Sequence, residues 1–156
     1  MKDNEQRGAL RFGHVAEYDA ARHMATVTFP DMGIVSGWLP ILIPNVLRNH
    51  DELHLDAGEH VACIMAGTGT ECGVILGAFY DDTNKPPVAD KDIRAVTFSD
   101  GTRITYDRKE HVMTVGSPQS ITLKADNITL SAQSITFSGG HIDLDGSVTC
   151  PGYCRC

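Results

Sequence analysis

Isoleucine recurs at Ile121, Ile128, Ile135 and Ile142, always seven residues apart. A seven-residue beat suggests a coiled coil first, since its helices bury apolar a and d positions. With isoleucine at a, however, the d positions are Lys124, Ser131, Ser138 and Asp145, all polar. The second apolar residue comes two places after each isoleucine, as Leu123, Leu130, Phe137 and Leu144, and the small residues Ala125, Ala132 and Gly139 take the next alternate position. A period of two belongs to a strand, not a helix.

Because seven is odd, an uninterrupted strand would send successive isoleucines to opposite faces. Each repeat therefore needs a corner. Asp126-Asn127, Gln133-Ser134 and Gly140-His141 are mostly small, polar or turn-prone and suit one. The pattern predicts strands of about five residues separated by two-residue bends, as in a β-helix, with a plain β-meander as the alternative. Each repeat offers only one Ile, one Leu or Phe and one small residue, too little for a single chain of about 60 residues to wrap an interior of its own. Three copies around one axis solve this. Ile121, Leu123, Ile128, Leu130, Ile135, Phe137, Ile142 and Leu144 would then fill a common core, so a homotrimer is expected.

The first 80 residues are strand-rich in a different way. RFGHVAEYD and HMATVTFPD flank a short polar turn, and IVSGWLPILIP, GEHVACIMAG and ECGVILGAFYD follow. Five strands punctuated by Gly, Asp and Pro fit a small Greek-key barrel of the OB type. Between the third and fourth, NVLRNHDELHLDA fits either a short helix or a long loop. Residues 81–92, DDTNKPPVADKD, read as a linker. Beyond it, AVTFSDGTRITYD puts Asp100-Gly101 between two alternating runs, a hairpin signal, and HVMTVGS adds a strand. The expected organisation is all-β: an OB-fold domain over 1–80, a linker over 81–92, and a hairpin with a β-helical spike over 93–156.

The order of these segments resembles the central spike, or baseplate assembly protein V, family of contractile-tailed bacteriophages, related to the valine-glycine repeat spikes of type VI secretion. The residues that carry the resemblance are GHVAEYD from Gly13, SGWLPIL around Trp38 to Pro40, GEHVACIMAG from Gly58, GVILGAFYDD from Gly73 and DGTRITYD from Asp100, together with the I-x-L repeat. The resemblance implies an N-terminal OB-fold and a trimeric, intertwined β-helical needle. Such a spike sits at the tip of the tail tube and pierces the host outer membrane when the sheath contracts, and it catalyses nothing. The implied partners are baseplate hub and tail-tube proteins, held through the OB domain. The implied location is the virion baseplate, after synthesis in the bacterial cytoplasm. Whether a separate protein caps the tip stays open.

One departure concerns that tip. Many family members carry His-x-His there, and three chains gather the imidazoles around an iron. Here His141 is followed by Ile142 and Asp143, which leaves it a weak metal candidate or a polar corner residue. The chain ends CPGYCRC instead, and in an extended strand Cys154 and Cys156 face the same way. With Cys150 they form a candidate tip site, and thiolates favour zinc or iron–sulfur chemistry over octahedral iron. A metal ion, iron or zinc, a disulfide staple and plain thiols remain three open readings. Cys63 and Cys72, set among apolar residues, read as small buried hydrophobes.

Competing functions have weaker support. The densest polar cluster, HDELHLD, spaces His50 and His54 as i, i+4 but lacks the H-E-x-x-H pattern and reads as a solvated loop. A 12-residue linker leaves no room for the lysozyme domain that some phage spikes insert. The alternative is an OB-fold module for a small ligand or nucleic acid. A formal charge of −7, scattered basic residues and 6% aromatics speak against nucleic acid. The start MKDNEQRG has no signal-peptide pattern, and no apolar run is long enough for a membrane span, so a soluble, unsecreted protein is expected.

Overall fold

The computed structural model describes residues 9–50, 54–66 and 72–149. Among these the chain is all-β, with no helix and two antiparallel sheets. The first sheet contains β1 (Ala9–Asp19), β2 (Met24–Phe29), β3 (Ile34–Val35), β4 (Leu39–Pro40), β5 (His60–Met65) and β6 (Gly73–Ala78). The second contains β7 (Ile93–Thr97), β8 (Arg103–Asp107) and β9 (Val112–Gly116).

The 11 residues of β1 serve two neighbours. Its first half pairs with β5, from Ala9↔Met65 to His14↔His60, and its second half with β2, from His14↔Thr28 to Asp19↔Met24. A register shift between Val15 and Glu17 bends the strand from one neighbour toward the other. β5 continues to β6, and β2 continues to β3 and β4. Beyond β4, Ile41 forms a parallel bridge to Ile75 of β6, and the Leu42 N–H donates to the Ile75 carbonyl at 2.8 Å. The sheet thereby closes on itself. Closure gives one interior, and Val27, Phe29, Leu39, Val61, Cys63, Met65 and Ile75 are completely buried in it.

Alternation explains which side chains enter. Ala25, Val27 and Phe29 of β2 point inward, as do Val61, Cys63 and Met65 of β5. Gly13 lies on the inward face of β1, where a Cβ would sit 2.6 Å from Val27 Cγ1 and 3.0 Å from Phe29. Only a residue without a side chain allows that approach. The undecided stretch after Pro40 forms no helix among its described residues, and Leu55, 4% exposed, anchors it in the core. Cys63 is buried as expected. Cys72 is exposed, a correction to the reading above: it lies just outside β6, where its carbonyl accepts from the Ala66 N–H at 2.9 Å and its side chain is off the inward face.

No strand lies between Ala78 and Ile93. The β7–β8 hairpin turns at Asp100-Gly101, with Gly101 at φ 89°. The Asp100 carboxylate accepts from the Thr102 N–H at 2.8 Å and the Thr102 hydroxyl at 3.0 Å, and these bonds hold its pKa below the ordinary value.

Residues 117–149 contain no strand, and bends fall at Asp126, Gln133, Gly139-Gly140 and Gly146. Strands were expected between those corners. A strand needs a neighbouring backbone to exchange hydrogen bonds with, and none is found here in the described residues of one chain.

Candidate functional site

The C-terminal repeat is an unusual surface. Every residue from 118 to 149 is exposed. Ile121, Leu123, Ile128, Leu130, Ile135, Phe137, Ile142 and Leu144 are 46–71% exposed, although each is of a type that folded chains bury. Their spacing is interrupted by a bend roughly once per repeat, so no apolar residue of one repeat packs into a core of its own. Exposed apolar side chains repeated in this way are the kind of surface that interaction sites present.

The second sheet extends this character. Cross-strand partners Val96, Ile104 and Val115 form one row, and Tyr106 and Met113 form the next on the same face. All five are exposed, while the opposite face carries Ala95, Thr105 and Thr114. β9 then leads within a few residues into Ile121.

The barrel carries three features that the sequence did not disclose. On the outer wall of β1, β5 and β6, Leu10, Phe12, Ile64, Leu76 and Phe79 are exposed together, with Phe12 and Phe79 edge-to-face at 5.5 Å. The alternation of β1, with Leu10 and Phe12 opposite the inward Gly13 and Val15, was the available signal. Next to this wall, His60 stacks on His14 at 4.5 Å and packs on Phe79 at 4.2 Å. The His60 Nδ1–H donates to Asp81 Oδ2 at 3.0 Å. Asp81 Oδ1 also accepts from the N–H groups of Thr83 (2.9 Å) and Asn84 (2.7 Å), so the start of the expected linker is tied to β5. The Asn84 N–H is the main cause that holds the Asp81 carboxyl below its usual range, opposed by desolvation and assisted by Thr83 and His60. A cleft of about 520 Å³ opens here between Gly58, His60, Phe79, Tyr80 and Asn84.

At another point of the barrel, Tyr18, His23 and His54 converge from three segments. The Tyr18 hydroxyl lies 3.3 Å from His23 Nδ1 and also hydrogen-bonds His54 Nδ1. The ring centroids are 5.6 to 6.2 Å apart. His54 thus faces Tyr18 and His23.

The expected tip residues Cys150, Cys154 and Cys156 lie outside the described residues. His141 is exposed directly after the bend at Gly139-Gly140. Among the described residues no three His, Cys, Asp or Glu side chains are grouped as a metal site. Burial pushes the Cys63 thiol up to about 11, which keeps it protonated and chemically quiet. The described residues contain no helix long and apolar enough to cross a membrane. A scan against models of known protein families finds no match, and a search of curated proteins finds none either.

Proposed function

We propose that the chain is the structural, non-enzymatic central spike of a contractile phage tail or a related injection particle. In this reading residues 1–80 form an OB-fold, 81–92 a linker, and 93–156 the hairpin and needle that three copies wind together. The observation that carries it is the regularly bent, apolar and wholly exposed repeat beside a barrel that buries its own core. Burying eight such side chains per chain at roughly 1–2 kcal/mol each gives on the order of 10 kcal/mol toward assembly.

The barrel supports the OB reading through its strand order. Counting β3 and β4 as one broken strand, the neighbours run β1-β2-β3/β4-β6-β5 and back to β1, a five-stranded Greek-key closure. Interlocked chains leave no free sheet edge and unfold slowly, as a needle driven through an envelope must. The barrel takes the hub and tail-tube proteins, the needle meets the host outer membrane, and the tip carries a metal ion, a disulfide staple or plain thiols, with or without a separate cap protein. The particle is assembled in the bacterial cytoplasm and the spike works in the virion.

Light scattering on the full chain tests this. A stable species near three times 16.9 kDa that survives heat and detergent is expected. A monomer at micromolar concentration overturns the spike and leaves the OB barrel as a ligand- or nucleic-acid-binding module.

A further inference from the structure

We propose that the cleft beside His60 is a binding site for a neutral saccharide, with a pyranose ring seated on Phe79 and Tyr80 and its hydroxyls bonded to His60 and Asn84. At about 520 Å³ the cleft is within the size range of small-molecule sites. Its described lining takes no residue from the repeat, so the inference stands apart from the spike reading.

The walls of the cleft are in place before any ligand arrives. The Gly58 N–H donates to the Val15 carbonyl at 2.8 Å, and the Phe79 N–H donates to the His60 carbonyl at 3.0 Å. Three contacts hold the His60 ring: it stacks on His14, packs on Phe79 and bonds through Nδ1 to Asp81. The Asp81 carboxylate, kept ionised by the Asn84 and Thr83 N–H groups, can only accept. Nδ1 therefore carries a proton, and Nε2 of the neutral ring is an acceptor. Asn84 adds a side-chain amide that both donates and accepts. Phe79, 38% exposed, and Tyr80, 62% exposed, add apolar ring surface.

The lining decides the ligand class. Among the described lining residues there is no Lys or Arg, and Glu59 brings a carboxylate, so a phosphate or an acidic sugar would meet repulsion with no lining cation to offset it. A cation would draw on carboxylates that are already engaged: Glu59 Oε2 accepts from the Asp56 N–H at 3.1 Å, and Asp81 accepts from His60, Thr83 and Asn84. A wholly apolar ligand would take water from Nε2 and the Asn84 amide and return no hydrogen bond. A pyranose answers both halves of the cleft. Its C–H face suits the electron-rich face of an aromatic ring, and its rim of hydroxyls donates to Nε2 and exchanges hydrogen bonds with the amide.

Saturation-transfer NMR and calorimetric titration of the full-length protein test this with the methyl glycosides of glucose, galactose, mannose and N-acetylglucosamine, and with choline and inorganic phosphate as cationic and anionic probes. At least one glycoside should bind with a Kd of about 1 mM, the scale that a ligand of that size reaches at ordinary efficiency. Tyr80→Ala should weaken it by about tenfold, through loss of the ring. Asn84→Ala should weaken it severalfold, through loss of the amide. Neither should change the melting temperature, because Tyr80 is exposed and the turn bonds of Asn84 run through its backbone. A trisaccharide of the same sugar that binds more tightly assigns the site to a polysaccharide chain, and equal binding assigns it to a free sugar; both support the proposal. Absence of binding by every glycoside overturns it, as does binding of choline or phosphate alone, or glycoside binding that Tyr80→Ala and Asn84→Ala leave unchanged.

Discussion

The barrel and the repeat use similar side chains to opposite effect. In the barrel, Val27, Phe29, Leu39 and Ile75 come from strands that curl into one closed sheet, and all four are fully buried. In the repeat, Ile128, Leu130, Ile135 and Phe137 alternate just as strictly, yet all stay at least 46% exposed. The difference is not in hydrophobicity. β1 is long enough to pair on both sides and bends at its bulge, so one chain supplies every wall of the barrel. A repeat of seven residues with a bend in each supplies one wall at a time. The first pattern closes a core of its own, and the second leaves its apolar residues exposed, which is why we propose that other chains cover them.

The sharpest test of that contrast is a charge in the repeat. If the proposed trimer forms, Ile135→Asp should abolish it, since three carboxylates would meet near one axis at a cost of several kcal/mol each. Light scattering should then report 16.9 kDa, with the β signal of the barrel intact by circular dichroism. A trimer that persists would mean Ile135 points outward. The reciprocal change is Phe29→Ala, which removes a fully buried ring and should cost the barrel about 3–5 kcal/mol. Chemical denaturation would measure the loss, and the chain should still assemble through its repeat. If Phe29→Ala also dissolved the trimer, the two regions would not be separable.

How much of this was legible in the sequence follows from range. Period-two alternation and Asp100-Gly101 are local signals, so the strands around β1, β2 and β5 and the β7–β8 hairpin could be read directly. The corners at Asp126, Gln133 and Gly140 were local too, and bends occupy them. The Ile41–Ile75 bridge joins residues far apart in the chain, and nothing in either neighbourhood announces the other. The same holds for Tyr18 with His54 and for His60 with Asp81, which is why the barrel's polar clusters were missed. Cys72 was misread because apolar neighbours signal a strand but do not say where it begins.

A smaller effect probes how tightly the barrel is closed. Gly13→Ala places a methyl group 2.6 Å from Val27 Cγ1, against a strand that cannot retreat without breaking its pairing with β1. The expected cost is about 1–3 kcal/mol, the usual range for overpacking. Gly101→Ala in the open hairpin meets no neighbouring atom but must hold φ 89°, so it should act through backbone strain on the second sheet and leave the barrel's melting unchanged. Thermal melts that shifted equally in both variants would contradict the separation of the two sheets.

The smallest effect lies where the barrel hands the chain on. Asp81 caps the turn at Thr83 and Asn84 and accepts from His60, and its carboxyl is held below the ordinary 3.8, first by the Asn84 N–H. A carboxylate with a depressed folded pKa adds stability that is present above its unfolded value and lost as pH falls through the folded one. The tie between β5 and residues 81–84 should therefore hold at neutral pH and loosen only below about 3.8. Asp81→Asn keeps the shape but weakens the acceptor, and it should speed exchange at the Thr83 and Asn84 amides at every pH above that range, with β1 and β2 unaffected. Unchanged exchange in Asp81→Asn would mean that the backbone bond from the Asp81 N–H to the Asn84 carbonyl, at 3.0 Å, holds the turn without the carboxylate.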